Sequence, residues 1–437
     1  MKKKFLSVSF LFILFILFYS IIFGMLVKLS MYGSDKFYKL SSLASNLSDI
    51  PFKYSPKKII LNIKRYRNPE IDLEALKTGF NKYKTSGKKK FNIIKKKERD
   101  DLLILSSYDG DLKRSIVQII SLNDYSVIHK YKPDITHINN EIIKKDKNKI
   151  FKNILRDSKI SRNRIYHPAI NNDGDLFFSE GVGSSLIRVD FCGNLKSINV
   201  DRFHHSLNFD TEGNLWTVAH MVPYSEFVQK ALSRDTKDFF MEDSITKLDK
   251  NGNILWKRSF FEILMKNNLL VNNDWMPNID PFHINDVQPV SEDTIYWKKG
   301  DVFISAAHLS TIYLYRPSED RIIKTIRGHF DAQHDVEVYN ETSIIFYNNN
   351  RSGYKSGYGQ ILKYDFSTEK ISTFFDDTMK ENNIFTPKEG LVDVLSDGSF
   401  MVEESNHGRL FIIDKNGNIE FEFNNVSSEN KGYILNW

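Results

Sequence analysis

The chain has 437 residues, of which 41% are hydrophobic and 27% are charged, as expected for a folded protein that buries a substantial core. Its formal net charge of +6 is modest for this length. No recognisable nucleic-acid-binding motif accompanies the lysine runs at 82–97, so nucleic acid is not predicted as a partner. The single cysteine, Cys192, excludes an internal disulfide, and the fold must therefore be stabilised by its core.

The N-terminus carries a membrane signal. Residues 5–27 contain no charged side chain, and this run is long enough to span a bilayer. The positive charges of the preceding MKKK place the N-terminus in the cytoplasm. We predict a transmembrane signal anchor over residues 1–28, a single inner-membrane span with the rest of the chain in the periplasm. A cleaved signal peptide is the alternative, but the apolar run is longer than usual and no A-x-A-like site follows it.

Residues 29–98 lack clear periodicity and are predicted to be a basic stalk or linker. From about residue 99 the chain repeats one pattern, an alternating strand, a four-residue polar turn and another strand. Copies of this hairpin lie at 117–131, 185–200, 244–260, 310–326, 359–375 and 408–423. A second pair of strands precedes most of them, as at 167–181, 204–220, 334–348 and 389–404.

A four-stranded unit that recurs about six times is typical of a β-propeller. We therefore predict an all-β fold over residues 99–437, a six-bladed β-propeller of four-stranded blades, with the N-terminal transmembrane helix and stalk ahead of it. A β-sandwich is the alternative, but it needs fewer strands and does not explain the repetition.

Histidines recur at the start of the opening strands of these units. In a propeller the opening strand of each blade lines the central channel, so we expect His167, His204 or His205, His283 and His334 to converge near one channel mouth. Each comes from a different repeat. Polar neighbours such as Asn285 and Gln333 accompany them, and an acceptor beside a histidine can fix its tautomer.

Several segments resemble the bacterial arylsulfate sulfotransferase family, namely FHHSLNFDTEGNLW (203–216), DPFHINDVQPV (280–290), AQHDVEVYNETSIIFYNNN (332–350) and GLVDVLSDGSFMVEESNHGRLFIID (390–414). The resemblance keeps the same order over most of residues 165–425. It implies an exported six-bladed propeller that moves a sulfuryl group from a phenolic sulfate ester to another phenol. In this family the reaction is ping-pong, passes through a sulfo-histidine and uses no nucleotide donor, cofactor or metal.

The resemblance also implies residue roles. His334 matches the family nucleophile. His283 and one member of the His204–His205 pair match the histidines that handle sulfate oxygens and protons, and of that pair we predict His205 for the chemistry. For substrate binding we predict His204, His308, Asn285, Gln333 and Arg351. The expected partners are an aryl sulfate donor, a phenolic acceptor and, through the N-terminal helix, the membrane; the sequence does not decide the oligomeric state.

One position departs from the family. Family members carry an arginine in a stretch like L-S-x-R-H-Q-S, whereas this chain has ISAAHLS (304–310), with Ala307 at the arginine position. A fixed guanidinium suits sulfate oxygens, and losing one such contact costs on the order of 3 kcal/mol in a transition state. His308, Arg316, Arg351 and Arg409 are the candidates to replace it.

Two other functions remain open. The substitution at position 307 is compatible with a catalytically inactive propeller that binds ligands or serves as a scaffold at the cell surface. Converging histidines could also hold a divalent metal in a hydrolase, although no H-x-H or H-E-x-x-H spacing is present.

Overall fold

The computed structural model describes residues 89–146, 163–180, 183–231, 240–270, 280–351 and 358–426. The predicted anchor at 1–28 and residues 29–88 of the predicted linker at 29–98 lie outside these ranges. Within the ranges, no helix has the length and apolar character needed to cross a membrane.

The described residues form 23 strands and four short α-helices, so the fold is all-β as predicted. The strands are β1 (Phe91–Ile93), β2 (Leu102–Asp109), β3 (Arg114–Ser121), β4 (Val127–Tyr131), β5 (Ile165–Ile170), β6 (Leu176–Glu180), β7 (Ser184–Val189), β8 (Leu195–Phe209), β9 (Leu215–His220), β10 (Asp243–Leu248), β11 (Ile254–Ser259), β12 (Ile284–Pro289), β13 (Val302–Ala306), β14 (Thr311–Arg316), β15 (Arg321–Ile326), β16 (His334–Asn340), β17 (Ser343–Asn348), β18 (Gln360–Asp365), β19 (Lys370–Phe374), β20 (Leu391–Val394), β21 (Phe400–Glu404), β22 (Arg409–Ile413) and β23 (Ile419–Asn424). The helices are α1 (Ile135–Lys145), α2 (Glu226–Ala231), α3 (Phe260–Lys266) and α4 (Asp376–Glu381).

These strands form five antiparallel sheets in a propeller-like arrangement. The sheets are β2–β4, β5–β11, β12–β15, β16–β19 and β20–β23, the last extended by β1 beside β23. The prediction of six separate four-stranded blades is therefore wrong for the described residues. The physical reason is β8, a continuous strand whose first half pairs with β7 and whose second half pairs with β9, so that one sheet of seven strands results.

The hairpin turns follow from a five-residue pattern, Asp-x-x-Gly-Asn, that begins at Asp190, Asp210, Asp249 and Asp414. In each turn the aspartate Oδ1 accepts the backbone N–H of the asparagine four residues later, at 2.8 to 2.9 Å. The glycine of each turn has a φ between 78° and 89°, which side chains with a Cβ rarely adopt. The predicted turns are thus confirmed, and their side-chain hydrogen bonds explain the recurring asparagine.

The opening strands of successive units lie beside one another, in the order β2, β5, β8, β12, β16 and β20. Carboxylates connect them. Asp286 on β12 accepts the backbone N–H of Val336 on β16 at 2.9 Å, and Asp335 on β16 accepts the N–H of Val392 on β20. Each bond joins two sheets at the inner strand, which brings the starts of these strands, and the histidines there, together.

Apolar side chains pack between neighbouring sheets. One cluster joins Phe303 and Leu314 of the β12–β15 sheet to Val336, Phe346 and Leu362 of the next sheet, all of them buried. Burying a side chain of this size stabilises the folded state by about 1.5 to 3 kcal/mol. The sheet-to-sheet packing that holds the inner strands in place is therefore hydrophobic.

Candidate active site

The local backbone conformation sets the direction in which the histidine side chains point. His167, His205 and His283 themselves have positive φ angles of 37°, 60° and 47°, and His334 directly precedes Asp335, whose φ is 56°. The pairing register of β5, β8, β12 and β16 shifts at or just after these residues. A bulge with a left-handed residue re-aims a side chain out of the regular alternation. The same device therefore directs a histidine from each of four inner strands.

The structure brings five predicted histidines together, and we call His204, His205, His283, His308 and His334 the histidine cluster. The ring centroid of His205 lies 4.8 Å from that of His283 and 6.4 Å from that of His334. His308 stacks on His283 with a centroid distance of 4.6 Å. His204 lies behind His205, and their Nδ1 atoms are 2.6 Å apart. Side chains far apart in sequence thus share one site.

The contacts of His334 fix its tautomer. Its Nδ1 lies 2.6 Å from Asn349 Oδ1 and 3.1 Å from the carbonyl oxygen of Ala332. The Asn349 amide nitrogen donates to the carbonyl oxygens of Thr386 and Glu389, so its oxygen faces the histidine. Both partners of Nδ1 are acceptors, and Nδ1 must therefore carry the proton. The lone pair of the neutral ring then lies on Nε2.

Burial keeps two members of the cluster uncharged. Burial, together with the neighbouring His283, lowers the pKa of His334 to about 3. Burial, with the surrounding histidines, also lowers the pKa of His205 well below its ordinary value. Near neutral pH both rings are therefore neutral, as a nucleophilic imidazole must be.

His283 has the opposite character. Burial lowers its pKa, but the hydrogen bond and the charge of Asp280, whose Oδ2 lies 2.6 Å from His283 Nδ1, outweigh burial and raise that pKa above its ordinary value. His308 donates from Nδ1 to the backbone oxygen of the same aspartate at 2.7 Å. Asp280 therefore favours the protonated form of His283, which can act as a proton donor near the neutral His334.

A cavity of about 360 Å³ adjoins the cluster. Ser206 and Asp335, the residues after His205 and His334, line it together with His167 and Arg164. Its other charged lining residues are acidic, namely Glu337, Glu389, Asp393 and Glu403. Burial raises the pKa of Glu389 to about 7, and burial with the adjacent carboxyl groups raises the pKa of Glu337 well above its ordinary value. Glu389 can therefore be protonated near neutral pH, and the folded state favours the protonated form of Glu337.

The remaining predicted binding residues are placed differently. The Asn285 amide donates to the Gln333 carbonyl oxygen at 2.8 Å, and the Gln333 amide donates to Ser305 Oγ and the Thr311 carbonyl oxygen, both at 3.1 Å. Both side chains are buried and join neighbouring strands. Arg351 is exposed just after β17, next to residues outside the described ranges.

Neither Arg316 nor Arg409 replaces the family arginine. The Arg316 guanidinium is held by Asp301 through two hydrogen bonds of 2.8 Å, and Arg409 pairs with Glu404. Ala307 is buried and opens the 3₁₀ turn Ala307–Leu309, where its N–H donates to the His283 carbonyl oxygen at 3.1 Å. The turn thereby ties position 307 directly to the cluster.

Sequence reasoning missed several residues that shape the site. Asn349 and Asp280, which orient His334 and His283, lie in segments that show no periodicity. Arg164 lies in the cavity wall, and the charge of Lys388 partly opposes the rise in the pKa of His283, so both supply positive charge nearby. Only the NNN run before Arg351 offered a signal for Asn349, because it follows a strand directly.

Among the residues that the structure describes, two groups of side chains have the composition and spacing of metal ligands. In one, Asp280, His283 and His308, the hydrogen bond between Asp280 and His283 already occupies two ligand atoms. The other, made of His204, His220 and Asp243, is buried behind His205.

Among family models, the model described as Arylsulfotransferase (ASST) matches residues 172–426, more than half of the chain. The chain belongs to the arylsulfotransferase family. The matched range contains every member of the histidine cluster, and it confirms the family resemblance seen in the sequence. No curated protein matches the chain.

Solved structures similar to this arylsulfotransferase family member are distant. A protein of unknown function from Bacteroides caccae shares 11% identity with a TM-score of 0.45, covering 74% of this chain and 92% of that one. Virginiamycin B lyase from Staphylococcus aureus shares 11% identity with a TM-score of 0.34, covering 59% and 69%. The WD40 β-propeller domain of Doa1 shares 15% identity with a TM-score of 0.39, covering 78% and 86%. At these scores they assign no function.

Proposed function

We propose that this protein transfers a sulfuryl group from a phenolic sulfate ester to a phenolic acceptor, through a sulfo-intermediate on His334. The observation that carries the proposal is the engagement of His334 Nδ1 by two acceptors, Asn349 Oδ1 and the Ala332 carbonyl. It leaves Nε2 of a neutral imidazole as the nucleophile, inside a cluster contributed by several inner strands.

The first half-reaction breaks the S–O bond of the ester and forms an S–N bond to His334 Nε2. The leaving phenolate takes the proton of cationic His283, whose pKa Asp280 raises. In the second half-reaction the acceptor phenol gives its proton back to His283 while its oxygen attacks sulfur and the S–N bond breaks. Proton and electron-pair counts therefore balance over the cycle.

Negative charge on the sulfuryl oxygens needs positive or hydrogen-bonding groups nearby. Protonated His283 and the stacked His308 lie at the cluster, and Lys388 is close enough for its charge to oppose part of the rise in the pKa of His283. Arg164 lies in the wall of the adjacent cavity. These groups support the proposal despite Ala307, because together they offset the loss of one guanidinium.

The test uses the full-length chain and 4-nitrophenyl sulfate, with and without a phenol acceptor. We expect phenol-dependent release of nitrophenol, and a protein mass increased by one SO₃ group when acceptor is omitted. His334→Ala should abolish both. His407→Ala is the matched control, since His407 is equally buried and its Nδ1 likewise contacts a backbone carbonyl oxygen, that of Phe385. Sulfo-enzyme formation in His334→Ala would overturn the assignment of the nucleophile.

If the wild-type protein shows no sulfotransferase activity, an Ala307→Arg variant assayed beside it distinguishes lost catalysis from a wrong proposal. Activity only in Ala307→Arg would mean that the natural chain has lost catalysis through this substitution and acts as a binding member of the family. If both proteins fold, bind no aryl sulfate and turn over none, the proposed function is wrong.

We further propose that residues 1–28 anchor the protein in the inner membrane and that the propeller-like domain faces the periplasm. The support is the uncharged run at 5–27 and the positive cluster before it. Carbonate extraction should leave the full-length chain in the membrane and release a chain that lacks residues 2–28. Proteolysis of spheroplasts should cleave the domain, and protection from protease would contradict the proposed orientation.

A further inference from the structure

We infer that His204, His220 and Asp243 form a binding site for a divalent transition metal ion of the Zn²⁺ class. Their exposed fractions are 2%, 2% and 1%, so they lie in the interior. A carboxylate in such a place requires a charged or hydrogen-bonded partner. The site does not depend on the proposed sulfotransfer, because none of its ligands is the nucleophile or the proton donor.

The sheet itself brings the three side chains together. They lie on the adjacent strands β8, β9 and β10, where Asp243 and Arg202 are the ladder partners of His220 from either side. His204 is two residues beyond Arg202 and so lies on the same face of the sheet. This rigid arrangement is set by backbone pairing and needs no loop to adjust.

Two of the three ligand atoms lack ordinary partners. Asp243 Oδ1 and His204 Nε2 are buried without a hydrogen bond to any described residue, whereas Asp243 Oδ2 accepts the N–H of Ile284 at 2.9 Å. The two histidines present their Nε2 atoms to the same oxygen. One carboxylate oxygen is thus occupied by the backbone, and the other converges with two imidazole nitrogens.

The distances match a coordination polyhedron better than hydrogen bonds. Asp243 Oδ1 lies 3.3 Å from His204 Nε2 and 3.6 Å from His220 Nε2. A charge-assisted N–H···O bond is about 2.7 to 2.9 Å long. Ligands at about 2.0 to 2.1 Å from a tetrahedral Zn²⁺ are separated by roughly 3.3 Å. These two spacings leave room for an ion, and all three ligand atoms lie within 4.8 Å of one another.

Two cationic side chains lie near the site, and one of them is neutralised by its own partners. Lys257 is close, but its ammonium is paired with Asp201 at 2.6 Å and with the His220 carbonyl oxygen at 2.9 Å. Burial, helped by the positive charge of Arg202, lowers the pKa of His220, which keeps this imidazole neutral, as a metal ligand must be. Two neutral imidazoles and one carboxylate are the donor set that zinc commonly takes in proteins, with a fourth position left for an additional ligand.

An ion at this site would also fix the tautomer of His205. A His204 that binds metal through Nε2 carries its remaining proton on Nδ1, which lies 2.6 Å from His205 Nδ1. His204 then donates to His205, and His205 must hold its own proton on Nε2, on the other side of its ring. His205 would therefore present a hydrogen-bond donor to the channel, the role that a group facing sulfuryl oxygens requires.

The test measures Zn²⁺ alone, on the full-length chain after removal of metal by chelation and reloading. We expect about one Zn²⁺ per chain and an increase in melting temperature. His220→Ala and Asp243→Asn should bind Zn²⁺ at least about tenfold more weakly than the wild-type chain. Their melting temperature should not increase when Zn²⁺ is added. Asp280→Asn is the matched control, because it makes the same change in the other histidine–carboxylate group, and it should retain the ion.

Failure of the folded wild-type chain to rebind Zn²⁺ would overturn the inference and leave a metal-free relay from Asp243 through His204 to His205. Loss of the ion in Asp280→Asn with retention in Asp243→Asn would place it at the other group and overturn the inference equally. Where a variant does not fold, Zn X-ray absorption of the wild-type chain decides. It should show imidazole ligands at about 2.0 to 2.1 Å, and a shell without imidazole would exclude the site.

Discussion

The orientation of His334 by Asn349 can be tested by substituting Asn349 with alanine. The change removes the acceptor that lies 2.6 Å from Nδ1 and leaves only the Ala332 carbonyl oxygen at 3.1 Å. It also removes the amide donor to the carbonyl oxygens of Thr386 and Glu389. The tautomer of His334 with its proton on Nδ1 should therefore become less favoured. The backbone around Thr386 and Glu389 should also become less stable.

The size of both effects can be estimated. A neutral hydrogen bond contributes about 0.5 to 1.5 kcal/mol net, so the rate of sulfo-enzyme formation should fall roughly two- to tenfold through the tautomer alone. Buried carbonyl groups that lose their donor cost about 1 to 3 kcal/mol of unfolding free energy. The kinetic loss should appear in the first half-reaction, since Asn349 acts on the attacking nitrogen.

The assay is the pre-steady-state burst of nitrophenol from 4-nitrophenyl sulfate without acceptor, beside a denaturation curve. Asn348→Ala is the matched control. Asn348 is equally buried and also makes several hydrogen bonds, to the N–H groups of Asp331 and Asn350 and to Gln360, but none to His334. We expect the two variants to lose similar stability while only Asn349→Ala slows the burst.

Equal slowing of the burst in Asn349→Ala and Asn348→Ala would refute the reasoning, because stability alone would then explain the loss. An unchanged burst in a folded Asn349→Ala protein would do the same. In that case the Ala332 carbonyl would be sufficient to hold the ring.

Three further predictions concern charge. Asp280→Asn removes the group that raises the pKa of His283, so the alkaline limb of the kcat/KM profile should move to lower pH, and an unmoved limb would contradict the role of His283 as the acid. The pKa of Glu389 is raised to about 7, so the folded state prefers the protonated form, and the free energy of unfolding should fall between pH 5 and pH 7. Glu389→Gln should flatten that fall by up to about 3 kcal/mol in denaturant titrations, and an unchanged slope would assign it to other groups. Arg99→Met leaves the buried carboxylate of Glu420 without its guanidinium and should lower the free energy of unfolding by about 3 to 5 kcal/mol, whereas a loss below 1 kcal/mol would show that the pair is not needed.

The strands could be predicted from the sequence because alternation and the Asp-x-x-Gly-Asn turns are local signals. The seven-stranded sheet could not, because β8 shows no interruption at the point where it changes partners. Residues 195–209 contain no glycine, proline or turn pair to mark a boundary. The number of separate sheets depends on hydrogen bonds between strands, which periodicity does not report.

Some residues of the candidate site could likewise be predicted from local sequence patterns, and others could not. The histidines could be predicted because each occupies an equivalent place in a repeat, and the convergence of His205, His283 and His334 agrees with that phase. Gln333 sits beside His334 in sequence, yet its amide is directed to Ser305 because adjacent residues at the start of a strand face opposite ways. Asn349 and Asp280 act from other segments, and no local pattern marks them.

The pairing of β1 with β23 has a consequence for the order of folding. Phe91 pairs with Phe423, and Ile93 pairs with Phe421, so the ladder closes a loop of more than 300 residues. Such a closure costs about 5 kcal/mol of chain entropy, which the packing of Phe91 against Phe421 and Phe423 must help to offset. During synthesis β1 leaves the ribosome early and stays without its partner until β23 has followed. The pairing of these early and late strands should therefore be a late step of folding.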